Sequence, residues 1–457
     1  MKTKLKNCVE ILDSKRIPLS SAERKGLSKI YPYYGAQGIV DYVDRYIFDG
    51  EYILVAEDGN NLKSCSESIA TWATGKFWVN NHAHILGTKT GYCLKYIYYL
   101  LTSLDLRGYI TGSAQPKLNQ ENLANIELEL PDYAIQCQVA EVLSSIDKKK
   151  ENNSAICSKL ESMAKLLYDY WFVQFDFPDE NGKPYKSSGG KMVWNEELKR
   201  EIPEGWEAVS FGECIESINT GLNPRDNFTL NTGGSIKYLT VKNLTKDGTI
   251  DFTSCDYIDE EARTIVHRRS DIKIGDILFA SISPLGRCYI IMDEPEDWDI
   301  NESVFSIRPK SDKMTSSFLY MCFTSERFIK QAEGSSTGSV FKGIRIAVLQ
   351  ELKTILPPKG ILDRFDEQSH KMFAMKQNAL EENKQLASLR DFLLPMLMNG
   401  QVKVEDNLQQ NEVVIPFKDN YERKFELWLE NQGLAARGTV SRKTLRAVFD
   451  AMDDDDK

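Results

Sequence analysis

The chain repeats itself, and that duplication limits what it can fold into more than any other feature. Displaced by 226 residues, two stretches align without a gap: Thr111, Gly112 and Ser113 fall on Thr337, Gly338 and Ser339. Leu123, Ile126, Leu130 and Pro131 fall on Leu349, Leu352, Leu356 and Pro357, and the match runs on to Leu167 and Leu393. Earlier the offset is 206, with LKNCVEILDSKRIP (5–18) on FGECIESINTGLNP (211–224). Between these anchors DGEYILVAED (49–58) resembles IGDILFASIS (274–283), and YIYYLLTS (96–103) resembles FLYMCFTS (318–325). A constant frame with loops of different length implies two copies of one fold whose variable parts do different jobs.

Each copy begins with short β-rich runs (EYILVAED, KFWVNN, SIKYLTV, DILFASI, CYIIMD) broken by Gly, Asn and Asp, which read as a compact α/β (α+β) module. Each then continues into a long helix. Positions Ile135, Val139, Val142, Ile146, Lys149, Asn153, Ile156, Leu160, Met163, Leu167 and Tyr170 step by four and three, a heptad seam with polar breaks at Lys149 and Asn153. Adding 226 gives a second seam from Ile361 through Phe365, Met372, Leu386, Leu389 and Leu393 to Met396, with breaks at Gln368 and Glu382. A helix of about 36 residues is ~54 Å long, and one apolar stripe needs a partner. Two matching seams in one chain predict an antiparallel coiled coil with pseudo-twofold symmetry, although packing on the modules or homodimerisation would also bury the stripes. The expected divisions are 1–131 (first module), 132–173 (central helix), 174–206 (linker), 207–357 (second module), 358–400 (distal helix) and 401–457 (an extension).

Composition narrows the function. The net charge of −10 is unlike that of a DNA-wrapping protein, so nucleic-acid contact has to use local patches or charge supplied by partners. Nine cysteines without a CxxC pair argue against a disulfide scaffold or zinc ribbon, and four histidines without HExxH give little support to metal catalysis. No apolar run is long enough for a membrane span, and MKTKLKNCVEILDSKR lacks a leader's apolar stretch, so a cytoplasmic protein is expected. An adenine-methylating N/D-P-P-Y/F motif is missing, since Asn223-Pro224-Arg225 and Pro357-Pro358-Lys359 lack the aromatic. A GxxxxGK[ST] cradle is missing too, because Tyr185 stands where the first glycine before Gly190-Lys191 belongs.

The run YPYYGAQGIVDYVDRYIFDGEYILVAEDGNNL (31–62) with GKFWVNNHAHIL (75–86) resembles the first target-recognition domain of type I restriction–modification specificity subunits. LLYDYWFVQFDFPDENGKPYKSSGGKMVWNEELKREIPEGWE (166–207) is similar to that family's central conserved region, and the likeness extends over about residues 1–400. It implies a non-catalytic bacterial or archaeal subunit that binds a bipartite site on double-stranded DNA, one half per recognition domain. Two modification subunits would dock on the helices, bringing S-adenosylmethionine to methylate adenine, while restriction subunits add ATP- and Mg-dependent translocation and cleavage. No cofactor is expected on this chain. Residues 421–457 have no counterpart in the likeness and read as two short amphipathic helices, either a docking element or a hairpin on the body.

DNA reading needs donors and acceptors on loops. In the first module the candidates are Tyr33, Tyr34, Gln37, Asn60, Asn61, Asn80, Asn81, Ser113 and Lys117; in the second, Lys242, Asn243, Ser283, Arg287, Ser336, Thr337, Lys342 and Arg345. Each has a plainer reading: Asn-rich loops are ordinary turns, Tyr33 and Tyr34 suit packing, and His82 suits a satisfied histidine. Ile146, Leu160, Tyr170, Trp171, Phe172, Met372, Leu386 and Leu393 are the expected spacer and docking residues. The competing reading is a stand-alone, two-headed DNA-binding regulator that needs no partner.

Overall fold

The computed structural model describes residues 1–59, 62, 68–112, 116–335 and 343–402. Two compact units divide the chain, one holding Met1–Asn152 with the segment from Glu382, the other Asn153–Glu381. The extension after residue 402 lies outside the described residues.

In the first unit the strands are β1 (Lys2–Lys4), β2 (Val9–Ile11), β3 (Tyr31–Gly35), β4 (Gly38–Val43), β5 (Phe48–Ala56), β6 (Ala70–Val79), β7 (Ala83–Thr88) and β8 (Glu127–Glu129). Six form one sheet in the order β2-β7-β5-β6-β3-β4, antiparallel except where β3 runs parallel to β6, while β1 pairs with β8. The run Ile53, Leu54, Val55 is continuously apolar because both faces of β5 are covered. Ile53 and Val55 point with Leu86 toward helix α1 (Leu94–Ser103) and its Ile97, whereas Leu54 and Ile85 pack with Tyr34, Phe48 and Phe77.

The second unit contains β9 (Met192–Asn195), β10 (Arg200–Pro203), β11 (Glu207–Ser210), β12 (Ile215–Thr220), β13 (Ile236–Leu239), β14 (Asp256–Ile258), β15 (Ile277–Ala280), β16 (Cys288–Ile290), β17 (Trp298–Ile300), β18 (Val304–Pro309) and β19 (Lys353–Leu356). Its topology repeats the first: β11 pairs with β19 as β1 does with β8, and β12-β18-β15-β16 repeats β2-β7-β5-β6. The parallel pair recurs as β13 beside β17. The single long strand β6 corresponds to two, β16 and β17, because residues 291–297 interrupt it, which explains part of the drifting offset. The segment 174–206, expected as a linker, is folded: β9 and β10 form a hairpin, and Phe175, Phe177 and Trp206 join the unit's core. Its aromatic spacing carries no helical or strand period and so reads as loop.

The two long helices form as predicted, with α2 at Tyr133–Tyr168 and α6 at Lys359–Met398; α3 (Glu260–Ser270), α4 (Ser316–Thr324) and α5 (Glu326–Ser335) come between them in the chain. A five-residue π turn, Asp169–Val173, closes α2. Within the first unit Val139, Ala140 and Leu143 share a core with Leu397 near the end of α6. Within the second, Leu160, Met163 and Leu167 share one with Leu362, Phe365 and Met372 near its start. The seam differs from the expected one in one of its two columns. Val139, Ile146, Asn153, Leu160 and Leu167 are buried, but the companions are Leu143, Cys157 and Ala164 rather than Val142, Ile156 and Met163 alone. Ile135 is 47% exposed. On α6 the companions of Phe365 and Met372 are Leu362, Ser369 and Lys376, not Ile361, Gln368 and Met375. The apolar stripe of a globular helix is wider than one column, and packing seats small or polar residues on its inner edge, where an apolar count misses them.

Candidate nucleic-acid interface

In the first unit the ends of β3, β5 and β6 and the start of β7 meet the segment around Lys117. Lys117 bridges both Asp58 and Thr111 in antiparallel fashion. The Asn80 amide donates to the Tyr34 carbonyl at 3.0 Å, and the Asn80 Oδ1 accepts from the His82 amide at 2.8 Å. The His82 ring Nδ1 stands 2.8 Å from Asp58. Gln37 is exposed in the two-residue turn joining Gly35 to Gly38, where φ of 93° at Gly38 suits a residue without Cβ. Gln37, Asn80, Asn81 and Lys117 therefore sit at one sheet end, with amide donors and acceptors offered on short loops.

A polar network holds that end in place. Arg16 donates to Glu57 at 2.7 Å and to the carbonyls of Asn81 and Ala83 at 3.3 and 3.0 Å. Lys117 also reaches Glu57, at 2.9 Å. Burial works against ionisation of Glu57, yet its bonds to Arg16 and Lys117 hold the carboxyl below its usual pKa. Beneath them the buried His84 places Nδ1 2.5 Å from Asp13 and Nε2 2.7 Å from the Leu118 carbonyl. Sequence patterning missed Arg16, because apart from the neighbouring Asp13 its partners lie 41 to 67 residues away.

Tyr33 and Tyr34 are placed differently from the expectation. Tyr33 is 1% exposed, its hydroxyl is bonded to the backbone of Leu19, and the Arg24 guanidinium covers its ring at 4.7 Å. Tyr34 packs edge-on to Phe77 at 5.5 Å. Both point into the sheet's core because the alternation of a strand between two covered faces turns each side chain inward.

In the second unit the ends of β13, β15 and β17 converge in the same way. Asn301 donates its amide to Leu239, Ser281 to Ser303 and Ile344 to Ser281, each within 3.0 Å. Around this end Lys242, Ser283 and Arg345 are exposed. Lys242 stands 3.4 Å from Asp256, and Arg287 donates to the Leu244 carbonyl at 3.2 Å. Asn243 is fully buried: its Oδ1 accepts from Thr240 and its Nδ2 donates to Asp251 and Ser254, so it shapes the turn and offers nothing outward. Asn60, Asn61, Ser113, Ser336, Thr337 and Lys342 lie outside the described residues.

The residues expected to dock partners are mostly interior. Trp171 and Phe172 are 1% exposed; Phe172 lies 4.6 Å from Phe318 and 4.9 Å from Phe365, and Tyr170 is half-buried beside them. They weld α2 to the second unit's core, which an amphipathic count cannot distinguish from an outward aromatic face. Ile146, Leu160 and Met372 are buried, and Leu386 and Leu393 half-buried. Among the described residues no cluster of His, Cys, Asp and Glu could hold a metal ion, and no helix is long and apolar enough to cross a membrane.

Comparison with known proteins converges on one description. The model of the type I restriction modification DNA specificity domain matches residues 1–162 and 203–385. A Haemophilus influenzae chain named for a type I restriction enzyme specificity subunit is 25% identical over 400 residues, spanning 85% of this chain and 94% of that one. The specificity subunit of the type I restriction enzyme MjaIX from Methanocaldococcus jannaschii is 26% identical, over 70% of this chain and 71% of its own. The crystal structure of a type I restriction–modification S subunit from M. genitalium shares the fold with a TM-score of 0.57 at 17% identity, covering 87% of this chain and 95% of that one.

Proposed function

We propose, from the premise that this chain belongs to the type I restriction–modification DNA specificity family, that it is the non-catalytic sequence-reading subunit of such a complex. Each module reads one half of a bipartite site on double-stranded DNA through the loops at its sheet end. Helices α2 and α6 pair antiparallel about a pseudo-twofold axis, set the gap between half-sites and carry two modification subunits. Those subunits bring S-adenosylmethionine and methylate adenine; restriction subunits bring ATP and Mg for translocation and cleavage. The observation that carries this reading is the repeated strand topology, with contacts of α2 to the end of α6 in one unit and to its start in the other.

The loops' chemistry supports reading: Gln37, Asn80 and Asn81 can address adenine edges, and Lys242 and Arg345 can address guanine or phosphate. The test is to assemble the chain with its modification subunits, methylate random-sequence DNA and map the modified adenines. A split motif with an unread gap is expected. One contiguous motif, or methylation without sequence preference, would overturn the reading.

A further inference from the structure

A cleft of about 1100 Å³ opens in the second unit between the last turns of α2, the loop around Pro284 and the helices α4 (Ser316–Thr324) and α5 (Glu326–Ser335). Seven basic side chains line it against three acidic ones, in a chain of net charge −10. Two of the cations have partners in the cleft: Lys376 lies 3.6 Å from Glu161, and Lys330 lies 3.8 Å from Glu326.

Arg200 is different. Its guanidinium covers the Phe175 ring at 5.0 Å, and its Nε is buried with no hydrogen-bond partner. The ionisable groups acting on it are Arg327, Tyr168 and Cys322, none of them a carboxylate. Burial first, and then the like charge of Arg327, pushes its pKa down to about 10. A guanidinium taken out of water beside a second one is costly unless an anion completes the site. Arg327 is anchored at the rim by donating to the Leu198 carbonyl at 3.2 Å. Below them the floor is apolar, with Phe172, Met321 and Ile329, and with Val173 49% exposed at its edge.

The geometry points to this cleft as the seat of an acidic segment of a partner protein, whose Asp or Glu carboxylate is gripped by Arg200 and Arg327 while an adjacent apolar side chain covers the floor. Guanidinium forks match carboxylates, and an apolar floor beside a charged rim is the anatomy of a protein interface. A duplex fits less well: its phosphates ride on a convex, rigid surface and have no use for an apolar floor. The inference rests on the reading of this chain as a platform for partner subunits.

The test uses the full chain assembled with its modification subunit. Arg327→Glu, at an exposed position, should weaken assembly at least about tenfold with an unchanged melting curve. Arg200→Glu should weaken assembly as well, with a lowered melting temperature because the site is buried, and Arg200→Lys should restore part of the assembly. In the unaltered complex a zero-length carbodiimide cross-link should join Lys165 or Lys330 to a partner carboxylate. Equal assembly of wild type and Arg327→Glu, without that cross-link, overturns this inference alone. Normal assembly with weakened DNA binding assigns the cleft to nucleic acid and overturns it as well. A wild-type chain that does not assemble overturns the platform reading together with it.

Discussion

Lys149 on α2 and Glu382 on α6 face each other, Nζ to carboxylate oxygen, at 3.3 Å. Each interrupts the apolar seam of its own helix, so two polar breaks that look like flaws in sequence form one cross-helix pair. Both side chains remain about half exposed, so the pair contributes register more than stability. Lys149→Glu should cost about 0.5 kcal/mol and the exchanged double variant Lys149→Glu/Glu382→Lys should recover it, as read by urea denaturation of both singles and the double. A double variant as unstable as the sum of the singles would deny the pair any role.

Phe172→Ala should lower stability by about 3–5 kcal/mol, because a fully buried ring between Phe318 and Phe365 leaves a cavity. Thermal melting checks this. A loss confined to partner binding, with melting unchanged, would return Phe172 to an outward docking role.

The network at the end of the first unit's sheet makes a pH prediction. Glu57 is held below its ordinary pKa, so its contribution to stability is complete above the unfolded value of about 4.3 and is lost as pH falls through the lower folded value. Arg16→Ala removes a short bond and should cost about 1.5–3 kcal/mol at neutral pH while flattening the acid limb of a stability profile between about pH 5 and 3. Lys117→Ala, at a half-exposed position, should cost no more than about 1 kcal/mol. Parallel acid limbs for wild type and Arg16→Ala would contradict the assignment.

Charge makes another. If it is the specificity subunit proposed above, a chain of net −10 whose sheet-end lysines, Lys117 and Lys242, are already near carboxylates should bind DNA weakly alone and far more tightly once partners supply phosphate contacts. Titration of the free chain and of the assembled complex at one salt concentration checks this; equal affinities would count against it, and tight partner-free binding would favour the stand-alone regulator.

Much of the architecture was legible because it rests on periodicity and repetition. The alignment of residues 49–58 with 274–283 matches β5 to β15 as equivalent strands, and the three-four steps place both long helices. The inner columns of the seam were not legible, since Cys157, Ser369 and Lys376 sit where apolar residues are expected. At the two sheet ends, patterning located the loops but not which of their side chains face out. Asn243 and Tyr33 turn inward through hydrogen bonds to backbone 8 and 14 residues away, a spacing that belongs to no helix or strand period, and Arg16 and Arg200 meet neighbours that no local pattern predicts.

The account depends on α2 and α6 acting as a ruler between two readers. A helix of about 54 Å matches the length of roughly sixteen base pairs. Removing one heptad from each helix at matched positions and mapping methylated adenines made by the assembled complex tests this directly. The same two half-sites separated by a shorter gap are predicted; an unchanged gap, or altered half-sites with the gap retained, would contradict it.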